Sequence, residues 1–329
     1  MALSLRRGTV SRIAERTEGL VRLDVDGAPC IAYPHLTGPV EVGDDVIVNV
    51  QARELGLGSG GFDVLYLNLT RGLAAKPEPG AHVMSLPYTP LQTAARHVEE
   101  DGDLAESLGG MPVVCCSLHS QVAPVCAGLR RHNLRAAYVQ LAGGALPVSL
   151  SDTLRDLKAW QLLEVAVAVS PCLDGDVQAV TTASALAWVG GQGFDAVVCA
   201  IGPGIVGTGS TLGHGGLAAV EAVNTARALG GAPVLAVRYS EADPRERHRG
   251  VSHHTRSILR LCGEVTVAWP RGLPAPEWLT PRAEVEVEGW HEDCARLPLS
   301  HMGRGLETDA YFFMTAFAAG RCARDLVPE

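Results

Sequence analysis

From Met111 onward, short apolar runs alternate with helix-length segments, and this alternation restricts the chain to very few architectures. The runs lie at 112–116, 135–141, 163–169, 195–201, 232–238 and 264–269, starting 23 to 37 residues apart. That spacing predicts βα units, which build a parallel sheet covered by helices on both faces. Between the runs, SDTLRDLKAW sets Leu154 and Leu157 on one helical face behind a Ser151 cap. GLAAVEAVNTARALGG carries Leu217, Val220 and Val223 at helical spacing and stops at Gly230. Residue identities do not recur, so the spacing is not an internal repeat. The tail 273–329 ends in DAYFFMTAFAAGRCARDL, a closing amphipathic helix. Residues 81–329 are therefore expected to form a Rossmann-like α/β domain.

The first 73 residues follow a different period. Val21, Leu23 and Val25 alternate with Arg22, Asp24 and Asp26, and Asp26-Gly27 supplies a two-residue turn into Cys30–Tyr33. Further alternating strands follow at Val46, Val48 and Val50 and in FDVLYLNL. Several short strands with turn signals suggest a small barrel-like β domain of the SH3 or OB kind. AAKPEPG (74–80) reads as the linker. At roughly 150 residues per domain, 329 residues fit this division into two.

Composition narrows the partners. A net charge of −9 argues against general nucleic-acid or membrane-surface binding. Ala196–Val220 is long enough to span a bilayer, but seven of its residues are glycine, which fits a strand and a glycine-rich turn better. The start, MALSLRRGTVSRIAER, has no apolar stretch of signal-peptide length. Nine irregularly spaced cysteines form neither a disulfide framework nor a cysteine-type zinc site, and a reducing cytoplasm is expected. Because 25 of the 27 basic residues are arginine, an argument from any single arginine has to exceed that background.

Ligands of open parallel sheets bind beyond the carboxyl ends of the strands, where the strand-to-helix loops gather. The loop after the fourth run, GPGIVGTGSTLGHGG, offers Gly202, Gly204, Gly207, Thr208 and Gly209 ahead of a helix, an expected cradle for an anion. Gly202-Pro203-Gly204-Ile205-Val206-Gly207 matches a dinucleotide fingerprint literally but lacks the acidic residue about 20 positions on. A tight turn with close helix packing explains the same glycines. The loop after the fifth run is denser. Between Asp243 and Arg256 it holds Arg245, Arg247, Arg249 and Arg256 where the chain average gives about one arginine, together with His248, His253 and His254. Arg245 and Arg249 are expected anion ligands, and His253, His254 and Asp243 the expected catalytic groups. A solvated loop neutralised by Glu241, Asp243 and Glu246 is the plain alternative. A cation held by Asp243, His248, His253 and His254 is another, opposed by the flanking arginines. His119, Gln121 and Arg304 are further candidates, whereas Asp174 and Asp176 in DGD fit an ordinary turn.

Six motifs resemble a family described only as domain-of-unknown-function family 3866: YTPLQ (88–92), GMPVVCCSLHSQVAPV (110–125), GGALPVSLSDT (143–153), IGPGIVGTGSTLGH (201–214), DPRERHRGVSHHTR (243–256) and HMGRG (301–305). The resemblance spans nearly the whole chain and implies one architecture, with no activity or cofactor attached. The residues themselves point to an enzyme that transfers or hydrolyses an anionic small molecule. A non-catalytic ligand-binding or regulatory protein and a metal-dependent hydrolase stay open, as do the cofactor and a homo-oligomeric state.

Overall fold

The computed structural model describes residues 3–58, 60–100, 102, 104–280 and 282–327. The chain divides into two compact units, Met1–Arg96 and His97–Glu329. The division falls later than the expected linker at 74–80, because a small hairpin, described below, belongs to the first unit.

In the first unit, β1 (Leu5–Thr17), β2 (Leu20–Val25), β3 (Ala28–Ala32), β4 (Asp45–Asn49) and β5 (Asp63–Asn68) close a barrel in the order β1-β2-β3-β5-β4. Long β1 pairs with both β2 and β4, and β3 runs parallel to β5. Of the two kinds expected, this order is that of the OB barrel. The β2–β3 turn needs positive φ at both central residues, Asp26 at 50° and Gly27 at 80°, as a tight hairpin of this twist requires. Val10, Leu23, Val25, Cys30, Val46, Val48 and Leu65 fill the interior. The hairpin β6 (Val83–Ser85) and β7 (Thr93–Ala95) follows.

In the second unit the anticipated runs become β8 (Pro112–Cys116), β9 (Ala136–Leu141), β10 (Val165–Val169), β12 (Ala196–Ile201), β13 (Ala232–Ala236) and β16 (Thr266–Pro270). Two short edge strands not anticipated are β11 (Val177–Ala179) and β17 (Ala283–Val285). The sheet order is β11-β10-β9-β12-β8-β13-β16-β17, and every pair is parallel. Its strands are apolar on both faces because both faces are covered. In β8, Val114 and Cys116 enter one core while Val113 and Cys115 enter the other. Helices Val122–Leu129, Asp152–Ala159 and Ala310–Leu326 cover the first face; Thr182–Gly191, Ala218–Ala228 and His253–Leu261 cover the second. Central β8 has β12 on one side and β13 on the other, so the chain reverses its direction of travel across the sheet here. The loops after these three strands therefore open a crevice at the carboxyl edge.

The closing helix is held by backbone contact. A Cβ on Gly320 would lie 2.0 Å from the Val125 carbonyl oxygen, and one on Gly128 would lie 2.3 Å from that of Phe317. Gly320→Val is expected to cost about 3 kcal/mol, since backbone on both sides cannot give way as a side chain would. The urea midpoint measures it, and a loss below about 1 kcal/mol would disprove the close contact.

All nine cysteines are free, seven buried and Cys262 and Cys322 half-buried. Among the described residues no helix is long and apolar enough to cross a membrane. The 196–220 stretch instead divides into β12, a loop and the start of a helix.

Candidate functional site

A pocket of about 490 Å³ opens at the carboxyl edge. Its wall includes His119 and Ser120 after β8, Gly202–Ile205 and Gly207–Gly209 after β12, and Arg238, Arg245, Arg247, His248 and His254 after β13. His301 and Met302 of the tail complete it. The two loops singled out in the sequence lie side by side. Ser257 donates to the Thr211 carbonyl at 2.7 Å, and the His214 ring stacks on His254 at 3.7 Å.

The glycine loop is built differently from a phosphate cradle. Thr208 N–H donates to Gly213 O at 2.7 Å and Gly215 N–H to Val206 O at 2.8 Å, folding 206–215 back on itself. The Thr208 hydroxyl takes part in the same closure, with Gly213 O and Ser210. Gly202 and Gly207 are required by packing: a Cβ at 202 would strike the Ala145 carbonyl at 2.1 Å, and one at 207 would crowd His214 at 3.0 Å. Gly204, at φ 72°, and Gly209 line the pocket.

The charged loop is shaped by Asp243, which is fully buried. Arg245 grips it with two hydrogen bonds, 2.9 and 2.8 Å; Arg304 reaches it at 3.2 Å and buried Arg238 at 3.6 Å. Burial alone pushes the Asp243 carboxyl up, but the Arg245 hydrogen bonds and the Arg245 and Arg304 charges outweigh it and hold it far below the usual range. Asp243 thus acts as the counterion that positions three guanidiniums; its oxygens are occupied, which does not suit the catalytic role expected of it. Arg304 also binds Asp309 at 2.9 Å, and Asp309 accepts from Ser240. Short β14 (Tyr239–Ser240) and β15 (Gly250–Val251) clamp the base of this loop.

Around the arginines sits a histidine cluster. His253 lies 4.8 Å from His248 and 4.5 Å from His254, ring centre to ring centre. Burial, reinforced by Arg238, pushes His248 down to about 3 and His254 lower still; burial pushes His214 down to about 4. His253 is lowered too, by burial and then by Arg247. All are neutral imidazoles at pH 7. A guanidinium can only donate, so the Arg238 Nη1 contact to His254 Nδ1, 3.0 Å, leaves the His254 proton on Nε2. Among the described residues, several buried polar atoms here have no hydrogen-bond partner: His253 Nε2, His301 Nε2, Arg238 Nε and Asp309 Oδ1.

The other candidates separate. His119 lines the pocket, with Nε2 2.7 Å from the Ser151 hydroxyl. Gln121 is fully buried, its amide tying Ser117 and Leu118 to the carbonyls of Ala236 and Val237, so it joins β8 to β13 structurally. Arg249 is exposed and is not part of the pocket wall, because the three-residue turn Glu246–His248 carries it past the rim. The expected cation ligands also change. Asp243 is occupied by arginines, and the ligand atoms that converge, within 4.8 Å of one another, belong to His214, His253 and His254. Asp174 and Asp176 are turn residues, accepting from Val148 N–H and Ala166 N–H. Sequence reading missed Arg238, His214 and His301. Arg238 carried a usable signal as a charged residue just beyond an apolar strand. His301 gave none, since only the tertiary fold brings it within 3.1 Å of Ser120.

A closed barrel followed by a doubly wound α/β unit with an arginine- and histidine-lined pocket is the class of protein this chain represents. Residues 29–320 match the family model described as Protein of unknown function (DUF3866), and the chain belongs to that family. No curated protein matches it.

Proposed function

We propose that this is a cytoplasmic enzyme that binds a phosphate- or carboxylate-bearing small molecule in the carboxyl-edge pocket and transfers or hydrolyses a group on it. The observation that carries this reading is a surplus of positive charge. Arg238, Arg245 and Arg304 share two carboxylates, Asp243 and Asp309, and Arg247 on the pocket wall has no carboxylate within 4.0 Å among the described residues, in a chain that is acidic as a whole. Arg247 lies beside Gly209, its guanidinium carbon 3.9 Å from where a Cβ would stand. An anion there offsets the charges that depress His253 and His254, so binding raises their affinity for a proton as chemistry begins. Neutral imidazoles are suited to accept a proton or to donate a hydrogen bond to developing charge.

Thermal-shift screening of phosphates, sugar phosphates and carboxylates tests the reading. A true ligand stabilises by about 2.7 kcal/mol at a hundredfold excess over Kd. Arg247→Gln is expected to abolish the shift and Arg249→Gln to leave it; equal responses would refute the site. Turnover of the stabilising compound then separates an enzyme from a binding protein.

A second reading, a metal-dependent hydrolase, is favoured by the convergence of His214, His253 and His254. It requires a cation next to Arg238 and the loss of the His254 Nε2 proton, so the anion reading is preferred. Elemental analysis of protein purified without chelator is expected to find no stoichiometric transition metal. One equivalent, lost in His214→Ala, would reverse the preference.

A further inference from the structure

The opposite, amino-terminal edge of the same sheet holds a second basic site. A groove of about 1070 Å³ is lined there by Arg227, Arg256, Arg260 and Arg282, with Trp278 and the first residues of β13 and β16. Arginines elsewhere are commonly held by carboxylates, as in Arg53–Asp63, Arg71–Asp44 and Arg135–Glu164. Among the described residues, Arg227, Arg256 and Arg260 have no carboxylate within 4.0 Å. Arg282 has Glu284 at 3.3 Å, while its Nε is buried without a partner.

The guanidinium of Arg256 lies over the Trp278 indole, 4.1 Å from the ring centre. Stacking fixes the plane of the fork and leaves its N–H edge free, the arrangement that grips phosphate oxygens. Arg227 lies over Gly263, where any Cβ would strike it. Four guanidiniums around one open groove outnumber its two carboxylates, Glu264 in the lining and Glu284 beside Arg282. We infer that this groove is a second ligand site, for a small molecule bearing adjacent phosphates. Helix His253–Leu261 carries histidines of the first pocket at its start and Arg256 and Arg260 farther along, so a ligand in the groove acts on the element that holds the first site.

Calorimetric titration of the full chain with inorganic tripolyphosphate at low salt tests the inference. The parent protein is expected to bind, Arg256→Gln/Arg260→Gln to bind about a hundredfold more weakly, and Arg247→Gln to retain this site. The substituted arginines are exposed, so the fold survives their loss. Retention in Arg247→Gln keeps this result separate from the fate of the first pocket. Equal affinity for adenosine triphosphate and tripolyphosphate identifies the phosphates alone as the ligand. Tighter binding of the nucleotide, lost in Trp278→Leu, adds a stacked base. Unchanged affinity in the double arginine variant, absence of binding to the parent at millimolar concentration, or preference for a glutamate-rich peptide overturns the inference.

Discussion

Acidification from pH 7 to pH 5 is expected to unfold the α/β unit. His214, His248, His254 and His301 are buried, and burial, with nearby arginines, pushes His214 down to about 4 and His248 and His301 to about 3, with His254 lowered further. In the unfolded chain all four titrate near 6.5. Because the folded values are depressed, stability is fully present above pH 6.5 and falls as the pH drops toward them: the unfolded chain takes up protons that the native chain refuses. Each histidine contributes a slope of about 1.4 kcal/mol per pH unit, so four together approach 5 kcal/mol per unit. That is comparable with the whole stability of a domain, 5–15 kcal/mol, within two pH units. The urea midpoint measured between pH 7 and 5 should fall steeply, with about four protons taken up on unfolding at pH 5. A flat profile over that range would show that the cluster titrates normally in the native state. An anion between the arginines should blunt the slope, since it removes part of what depresses the histidines.

This acid sensitivity also shows why some of the site was legible in the sequence and some was not. β8, β9, β12 and β13 announce themselves because strands covered on both faces are apolar at nearly every position, Gln140 in β9 being the exception, and the loops after them are located by counting. The density of Arg245, Arg247, His248, His253 and His254 in one loop survives any compositional bias. What the sequence did not carry is which side chain meets which. Asp243 stands in a polar run and reads as a catalytic acid, or else as one partner in a solvated loop, yet three arginines, one of them 61 residues away, bury it. Arg249 differs from Arg247 by two positions, and the turn between them decides which one reaches the pocket. Gly202 and Gly207 fit a phosphate-binding pattern, but the Ala145 carbonyl at the first and the Gly213–His214 backbone at the second account for both. The short edge strands β11 and β17 span three residues each, too few to show a period.

Replacing Asp243 with asparagine should have the largest effect of any single polar substitution in the pocket. The change keeps the shape and removes the charge. Arg304 then keeps Asp309, but Arg238, 2% exposed, loses the carboxylate 3.6 Å away, and Arg245 keeps one acceptor oxygen for its fork in place of two. Breaking a buried pair by removing one partner costs about 3–5 kcal/mol, because the remaining charge has lost its solvent and its counterion. For a unit of this size that lowers Tm by roughly 10 °C. The loss has a distinctive signature: phosphate or sulfate should raise the Tm of Asp243→Asn more than that of the parent, as an external anion takes the place of the missing carboxylate. Arg245→Gln added to Asp243→Asn should cost less than the sum of the two single changes, since the second removes a charge the first has orphaned. A variant that melts within a degree or two of the parent, or gains nothing from added anion, would show that Asp243 is not the counterion of this cluster. The charge surplus on which the pocket's proposed ligand depends would then have to be counted again without it.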